Sequence, residues 1–80
     1  GDYFMKTITI SLPSVEAVKN FNNKIFGLPG DFDLGSGRYI VDARSIMGIF
    51  SLDLSKPLNL TIHADNAEEI AASLNEFIVK

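Results

Sequence analysis

The sequence contains no cysteine and no tryptophan, and its single histidine is His63. The missing thiols exclude disulfides, cysteine nucleophiles and cysteine-ligated zinc, and one imidazole is too few for a histidine metal cluster. Ten acidic residues outnumber seven basic ones and give a net charge of −3. Because binding to a phosphate backbone relies on a concentrated positive patch, this balance disfavours nucleic acid as a partner. We therefore expect no metal, no cofactor and no nucleic-acid partner.

Long hydrophobic runs are also missing. No apolar stretch approaches the roughly 20 residues that a transmembrane helix needs, and no signal-peptide layout is present. Hydrophobic residues make up 46% and charged residues 21% of the chain, which is typical of a folded rather than a disordered protein. The sequence predicts one small cytoplasmic domain over residues 1–80, without membrane insertion. We expect residues 1–4 to be left over from cloning or disordered.

Two periodicities divide the chain into elements. Alternation of polar and apolar residues predicts four half-buried strands, at residues 6–12, 31–34, 38–43 and 58–64. Apolar spacings of three and four predict helices that follow Ser14, Ser45 and Asn66, the second of them over residues 46–52. The order β-α-β-β-α-β-α predicts an α+β fold, a two-layer sandwich with the helices on one side of the sheet. The leading β-α-β-β-α-β also fits a ferredoxin-like plan, and the pattern alone leaves the strand order open.

Several residues mark the boundaries of these elements. Ser14 and Ser45 are predicted to be N-cap residues, and Asn66 with Glu69 resembles a capping box. Gly27 is predicted to end the first helix in the left-handed conformation. The glycine-containing residues 35–37 are predicted to form a hairpin turn. The buried stripe of the first helix is predicted to comprise Val15, Val18, Phe21 and Ile25.

The most specific segment is Arg-Ser-Ile-Met-Gly-Ile-Phe-Ser-Leu at residues 44–52. It resembles the second-helix motif of the HPr family, the phosphocarrier proteins of the bacterial sugar phosphotransferase system. The resemblance continues through Lys56, the strand at 58–64 and the last helix, so it covers nearly the whole chain from residue 6. It implies an HPr-like open-faced sandwich: an antiparallel four-stranded sheet in the order 1-4-2-3, with three helices on one face.

HPr proteins carry phosphate on a histidine at the start of the first helix, within Gly-x-His-x-Arg-Pro-Ala. The corresponding residues 12–17 are Leu-Pro-Ser-Val-Glu-Ala, with no histidine and no arginine, and Glu16 would oppose an incoming phosphate. We therefore predict that the chain is neither a histidine phosphocarrier nor an enzyme. Ser14 lacks an activating base, and we interpret His63 as a solvent-facing strand residue far from that helix start. A working phosphocarrier that uses His63 as a non-standard acceptor is the alternative.

Ser45 matches the family position that HPr kinase phosphorylates, although serine is also a common helix cap. On a helical wheel Ile46, Met47 and Phe50 form one apolar stripe, whereas Ile49 and Leu52 form another. Since a two-layer sandwich buries one stripe, the first is expected to be exposed for docking unless another segment covers it. We hypothesise a regulatory protein-interaction module whose partners are phosphotransferase-system components or an HPr kinase. A structural remnant without partners is a further alternative.

Overall fold

The computed structural model describes residues 4–79, which contain four strands and three α-helices. The strands are β1 (Met5–Ile10), β2 (Asp31–Ser36), β3 (Tyr39–Asp42) and β4 (Leu58–His63). The helices are α1 (Val15–Phe26), α2 (Ile46–Phe50) and α3 (Ala67–Ser73), and a 3-10 turn at Asn75–Phe77 follows α3. The predicted element order is thereby confirmed. No described helix has the length and apolar character needed to cross a membrane.

The four strands form one antiparallel sheet in the order β1-β4-β2-β3, which confirms the topology that the resemblance implies. The side chains of the central strand β4 point alternately to the two faces of the sheet. Leu58, Leu60 and Ile62 are fully buried, whereas Asn59 is exposed and Thr61 is partly exposed. The helices cover the first face, and the second face is open to solvent.

The core lies between the covered face of the sheet and the helices. α1 contributes Val18, Phe21 and Ile25, all fully buried, and burial of each such side chain contributes about 1.5–3 kcal/mol. The ring of Phe21 meets that of Phe77 edge to face, with centroids 5.3 Å apart. Val15, which was predicted to belong to this stripe, is 59% exposed because it is the first residue of α1 and precedes the core-facing turn.

Two predictions about loop glycines differ from the structure. Gly27 caps α1 with a right-handed φ of −85°, so the predicted left-handed cap is wrong. The left-handed conformation occurs instead at Gly30, with φ +99°, where a Cβ would lie 2.5 Å from the His63 carbonyl oxygen. The hairpin turn also moves: β2 extends to Ser36, and the loop is Gly37-Arg38, with φ +60° at the glycine.

The end of the chain also departs from the predicted pattern. Asn66 makes no side-chain capping bond, so the capping box is absent, and α3 ends at Ser73. Ile78 then leaves the helical path and forms an antiparallel bridge with Ile10. At the other end, residues 1–3 of the segment expected to be disordered lie outside the described range. The Phe4 carbonyl accepts a hydrogen bond from the Ala64 N–H at 3.0 Å.

A candidate docking site on the second helix

Ser45 is the N-cap of α2, as its position in the sequence predicts. Its exposed Oγ accepts a hydrogen bond from the Gly48 N–H at 3.1 Å, and its carbonyl accepts one from Ile49 at 2.9 Å. Its own N–H donates to the Asp42 carbonyl at 2.9 Å. These bonds satisfy backbone groups that a helix start otherwise leaves unpaired. The hydroxyl is consequently held at the surface, at the start of a five-residue helix.

The apolar side chains of α2 divide into two groups by exposure. Ile49 is fully buried and Leu52, just past the helix, is nearly so. Met47 is 79% exposed and Phe50 is 41% exposed. Ile46 lies between these groups, partly buried against the core. We use the term docking face for Ile46, Met47 and Phe50, of which Met47 and Phe50 supply most of the exposed apolar surface.

Gly48 allows α2 to lie close to β3. A Cβ at this position would be 3.1 Å from the Val41 Cβ and 3.2 Å from the Ser45 Oγ. Both distances are shorter than ordinary van der Waals contacts between carbon and its neighbours. The glycine therefore brings the capping hydroxyl, the helix and the strand together in one tight corner.

Asn22 anchors the connection between β3 and α2 from a distant helix. Its Nδ2 donates to the carbonyls of Ala43 at 3.3 Å and Arg44 at 3.0 Å. It is the single buried polar residue in the described part of the chain. The sequence pattern did not predict this role, although a signal existed. Asn22 lies four residues after Val18 and three before Ile25, so it interrupts the apolar stripe of α1.

Arg44 is a second anchor, which the sequence pattern did not predict. Its guanidinium donates to the carbonyls of Gly30 at 2.7 Å and Leu28 at 2.6 Å. The same group lies 5.0 Å above the centre of the Phe32 ring, where a cation is attracted by the face of the aromatic ring. The planar guanidinium group reaches two acceptors at once. Because Arg44 directly precedes Ser45, these bonds connect the loop after α1 to the start of α2.

The start of α1 has a simpler arrangement. The Ser14 Oγ accepts a hydrogen bond from the Ala17 N–H at 3.0 Å, so this serine is a helix cap, as predicted. Val15 and Glu16 follow it and are exposed. No imidazole or guanidinium occurs in residues 12–17.

His63 lies at the opposite end of the sheet from the start of α1. It pairs with Met5, whereas α1 begins beyond Ile10, at the far end of β1; six strand residues extend about 17 Å. Its Nε2 lies 3.1 Å from Asp33 Oδ2, on the open face of the sheet. This pair borders a shallow depression of about 280 Å³, lined by Asp33, Gly35, Gly37, Ile40, Asn59, Thr61 and His63.

No protein-family model matches the sequence, and no curated protein matches it. The crystal structure of the phosphocarrier protein HPr from Bacillus anthracis str. Ames superimposes with a TM-score of 0.72, covering 94% of this chain and 95% of that one. The fold is HPr-like. The sequences are 23% identical, so the likeness concerns the HPr-like fold alone.

The HPr-like fold places the predicted site residues in two separate regions. Ser45 and the docking face share one helix and its cap, next to the corner formed with β3. His63 lies on the sheet face that the helices do not cover. Among residues 4–79, no cluster of three histidine, aspartate or glutamate side chains is arranged to hold a metal ion.

Proposed function

We propose that the chain is a regulatory protein-interaction module on the HPr-like fold and is not a histidine phosphocarrier. The start of α1 supports this proposal. The Ser14 hydroxyl is engaged as a cap, and the exposed Glu16 adds negative charge to the first turn. Residues 12–17 would offer a phosphoryl group at this position no imidazole nucleophile and no cation to hold its oxygens.

The observation that carries the proposal is the exposure of Met47 and Phe50 on an anchored helix. Methionine adapts its shape to a partner and phenylalanine contributes a large contact area, so both suit a docking surface. The Asn22 and Arg44 anchors fix the start of α2 before any partner arrives, which lowers the ordering cost of binding. The solved neighbour is named a phosphocarrier protein. We infer that the partners are bacterial and cytoplasmic: phosphotransferase-system components or an HPr kinase.

The docking face is tested by capture of bacterial proteins on the immobilised chain, followed by titration of each captured protein. Met47→Ala and Phe50→Ala are each expected to weaken binding about 30-fold, the equivalent of a 2 kcal/mol anchor. Met5→Ala is the matched control, because Met5 is also exposed but lies on β1, at the sheet edge opposite β3 and α2. If every partner binds the two α2 variants as tightly as the unmodified chain, the docking face is wrong.

We further propose that Ser45 is a charge switch for this face. A kinase would transfer the γ-phosphoryl group of ATP to Ser45 Oγ, releasing ADP and a proton. The product carries about −1.5 to −2 charges at neutral pH. Burying that charge beside Met47 and Phe50 would be costly, so partners that cover the apolar face should bind more weakly. Partners that present arginine should bind more tightly.

Ser14 provides the control for the switch, because it caps α1 with the same kind of bond that Ser45 makes in α2. The chain is incubated with HPr kinase and ATP, and phosphoryl groups are counted by intact mass. We expect one phosphoryl group, which is lost in Ser45→Ala and retained in Ser14→Ala. An unmodified chain would show that Ser45 acts as a cap alone.

The second candidate is phosphoryl transfer through His63, and one contact favours it. If Asp33 accepts a hydrogen bond from Nε2–H, the lone pair of the imidazole lies on Nδ1, where it could act as a nucleophile. The surroundings oppose this role. Asp31 pairs directly opposite His63 and Asp33 contacts it, so a phosphoryl dianion would meet two carboxylates on the same face.

Acid stability separates the two candidates. The chain is incubated with phosphoenolpyruvate and the phosphotransferase enzyme that uses it, and intact mass is recorded before and after acid treatment. We expect no adduct. An acid-labile phosphoryl group that disappears in His63→Gln would overturn the first proposal in favour of the second. A chain that is neither modified nor bound by any protein would instead be a structural remnant.

A further inference from the structure

The two edge strands of the sheet differ in whether another segment pairs with their outer side. The outer edge of β1 is covered by the end of the chain: Ile78 bridges Ile10, and the Val79 N–H donates to the Thr9 carbonyl at 3.0 Å. β3 forms the other edge, and no residue between 4 and 79 pairs with its outer side. Tyr39 and Ile40 of β3 are 74% and 71% exposed. An uncovered edge is a template for another strand.

The hydrogen-bond pattern identifies the backbone groups that face outward from β3. The Ala43 N–H donates to the Phe32 carbonyl at 2.9 Å. Because antiparallel pairs alternate, Val41 and Tyr39 also direct their amides toward β2, and Ile40 and Asp42 direct theirs outward. The Asp42 carbonyl already accepts from Ser45. The N–H and C=O of Ile40 therefore form the free centre of this edge.

Charges of opposite sign flank that centre. Arg38 precedes β3 and Asp42 ends it, at equal distances from Ile40. Arg38 forms no ion pair within residues 4–79, and the one hydrogen bond of the Asp42 side chain is accepted from the Arg44 N–H, at 2.8 Å. Both charges can therefore meet a second chain.

We propose that β3 pairs antiparallel with β3 of a second copy of this chain, with Ile40 opposite Ile40 across a two-fold axis. A residue whose N–H and C=O point outward from β3 can pair only with a residue of the second copy that has the same orientation. Few registers between the two strands are therefore possible. If the two-fold axis passed through Arg38 or Asp42, two like charges would lie opposite each other. If it passed through Tyr39 or Val41, a charged residue would lie opposite Ile40. The register centred on Ile40 brings each Arg38, in the hairpin loop next to β3, near an Asp42 of the second copy, so that opposite charges meet.

The side chains complement each other on both faces in this register. The two Ile40 side chains meet on the open face, between the two charge pairs. On the helix side each Tyr39 lies opposite a Val41, an aromatic and β-branched combination that stabilises sheets. The contact involves few residues, so we expect a weak, concentration-dependent dimer with a dissociation constant on the order of 100 μM. The proposal does not depend on the proposed function of α2.

Charge reversal tests the pairing, with sedimentation equilibrium of the full chain as the measurement. Arg38→Asp and Asp42→Arg should each be monomeric at concentrations where the unmodified chain dimerises, because each variant sets like charges opposite one another. An equimolar mixture of the two variants should dimerise again, since every facing pair is then of opposite sign. Lys19→Asp and Asp65→Arg are controls that change the net charge equally at exposed sites outside β3. Circular dichroism verifies that each variant is folded.

A thiol at the centre of the edge gives an independent test. The chain contains no cysteine, so Ile40→Cys introduces one thiol opposite itself, within the Cα separation that a disulfide allows. Mild oxidation should link Ile40→Cys into covalent dimers at least tenfold faster than Lys19→Cys. A chain that is monomeric at millimolar concentration would overturn the proposal. So would a dimer that survives both charge reversals but is lost in Met47→Ala, because its contact would be on α2.

Discussion

At the residue scale, Asn22 is the side chain on which the position of Ser45 depends most directly. We predict that Asn22→Ala lowers the free energy of unfolding by about 1–3 kcal/mol, because the carbonyls of Ala43 and Arg44 lose their donor in a buried place. Urea denaturation measures the loss. Asn23→Ala, at the exposed neighbouring position, should stay within about 0.5 kcal/mol. Equal midpoints for both variants would contradict the anchoring role.

A second prediction at this scale concerns the loop between α2 and β4. A hydrogen bond from the Ser55 hydroxyl, aided by the Ser55 N–H and weakly by the charge of Lys56, lowers the pKa of Asp53. We predict that Ser55→Ala raises the Asp53 pKa toward its ordinary value and that Lys56→Ala raises it less. Carboxyl carbon NMR over an acid titration measures both shifts. A larger shift in Lys56→Ala would show that charge, rather than hydrogen bonding, dominates.

The sign of the effect on stability follows from the direction of that shift. A carboxyl group whose pKa is lower in the folded state stabilises the fold above its unfolded pKa, and this contribution is lost as pH falls through the folded value. The difference in unfolding free energy between the unmodified chain and Ser55→Ala should therefore be present near neutral pH. It should vanish once Asp53 is protonated in both states.

The residues of the candidate site differ in how far the sequence reveals them. The Ser45 cap could be predicted because its partner Gly48 is three residues away, and capping is a local preference. Asn22 and Arg44 bind carbonyls 14 to 22 residues away. Such contacts exist only once the loops meet in space, so residue patterns alone do not specify them.

At the scale of elements, three loop glycines provide a graded prediction. Gly27 has negative φ, and no atom would crowd a Cβ there. Gly27→Ala should therefore raise the free energy of unfolding by about 0.4–1 kcal/mol, because alanine lowers the conformational entropy of the unfolded chain. Gly37 has positive φ but no atom near its Cβ position, so Gly37→Ala should cost about 1–2 kcal/mol. Gly30→Ala should cost the most, because positive φ coincides with contacts of 2.5 and 2.8 Å. Urea midpoints in any other order would contradict this reading of the loops.

The same glycines show why element boundaries were less predictable than element types. Periods of two and of three to four residues are local, so the strands and helices could be assigned from the sequence. Gly27 and Gly30 are both plausible breaks after α1. The choice between them depends on the approach of Gly30 to His63 and Ala64 of β4, which is a contact between elements far apart in the sequence.

At the scale of the whole molecule, the end of the chain protects the β1 edge. We predict that deletion of residues 78–80 increases self-association, because the bridge from Ile78 to Ile10 and the bond from Val79 to Thr9 are lost. Light scattering during incubation near physiological temperature measures the change. Replacing the same three residues with alanine keeps a backbone on the edge and is the control. An equally clear solution from the deleted chain would contradict a protective role.

The sequence predicted the architecture in two steps, the first from residue patterns and the second from the resemblance to HPr. The residue patterns led to an α+β sandwich, but strand order depends on pairings between distant segments, such as β1 with β4, and patterns do not contain them. The resemblance to HPr supplied the order 1-4-2-3, which the sheet confirms. The docking face and the Ser45 switch are still predictions, since they concern partners rather than the fold.

The contact between His63 and Asp33 joins β4 and β2, the two inner strands of the sheet. Because His63 is the sole imidazole in the chain, its two ring-carbon protons have no counterparts in a magnetic resonance spectrum. The chemical shifts of these protons report on the contact between His63 and Asp33 without any added label. The protein thus carries its own probe for following the opening of the sheet in real time.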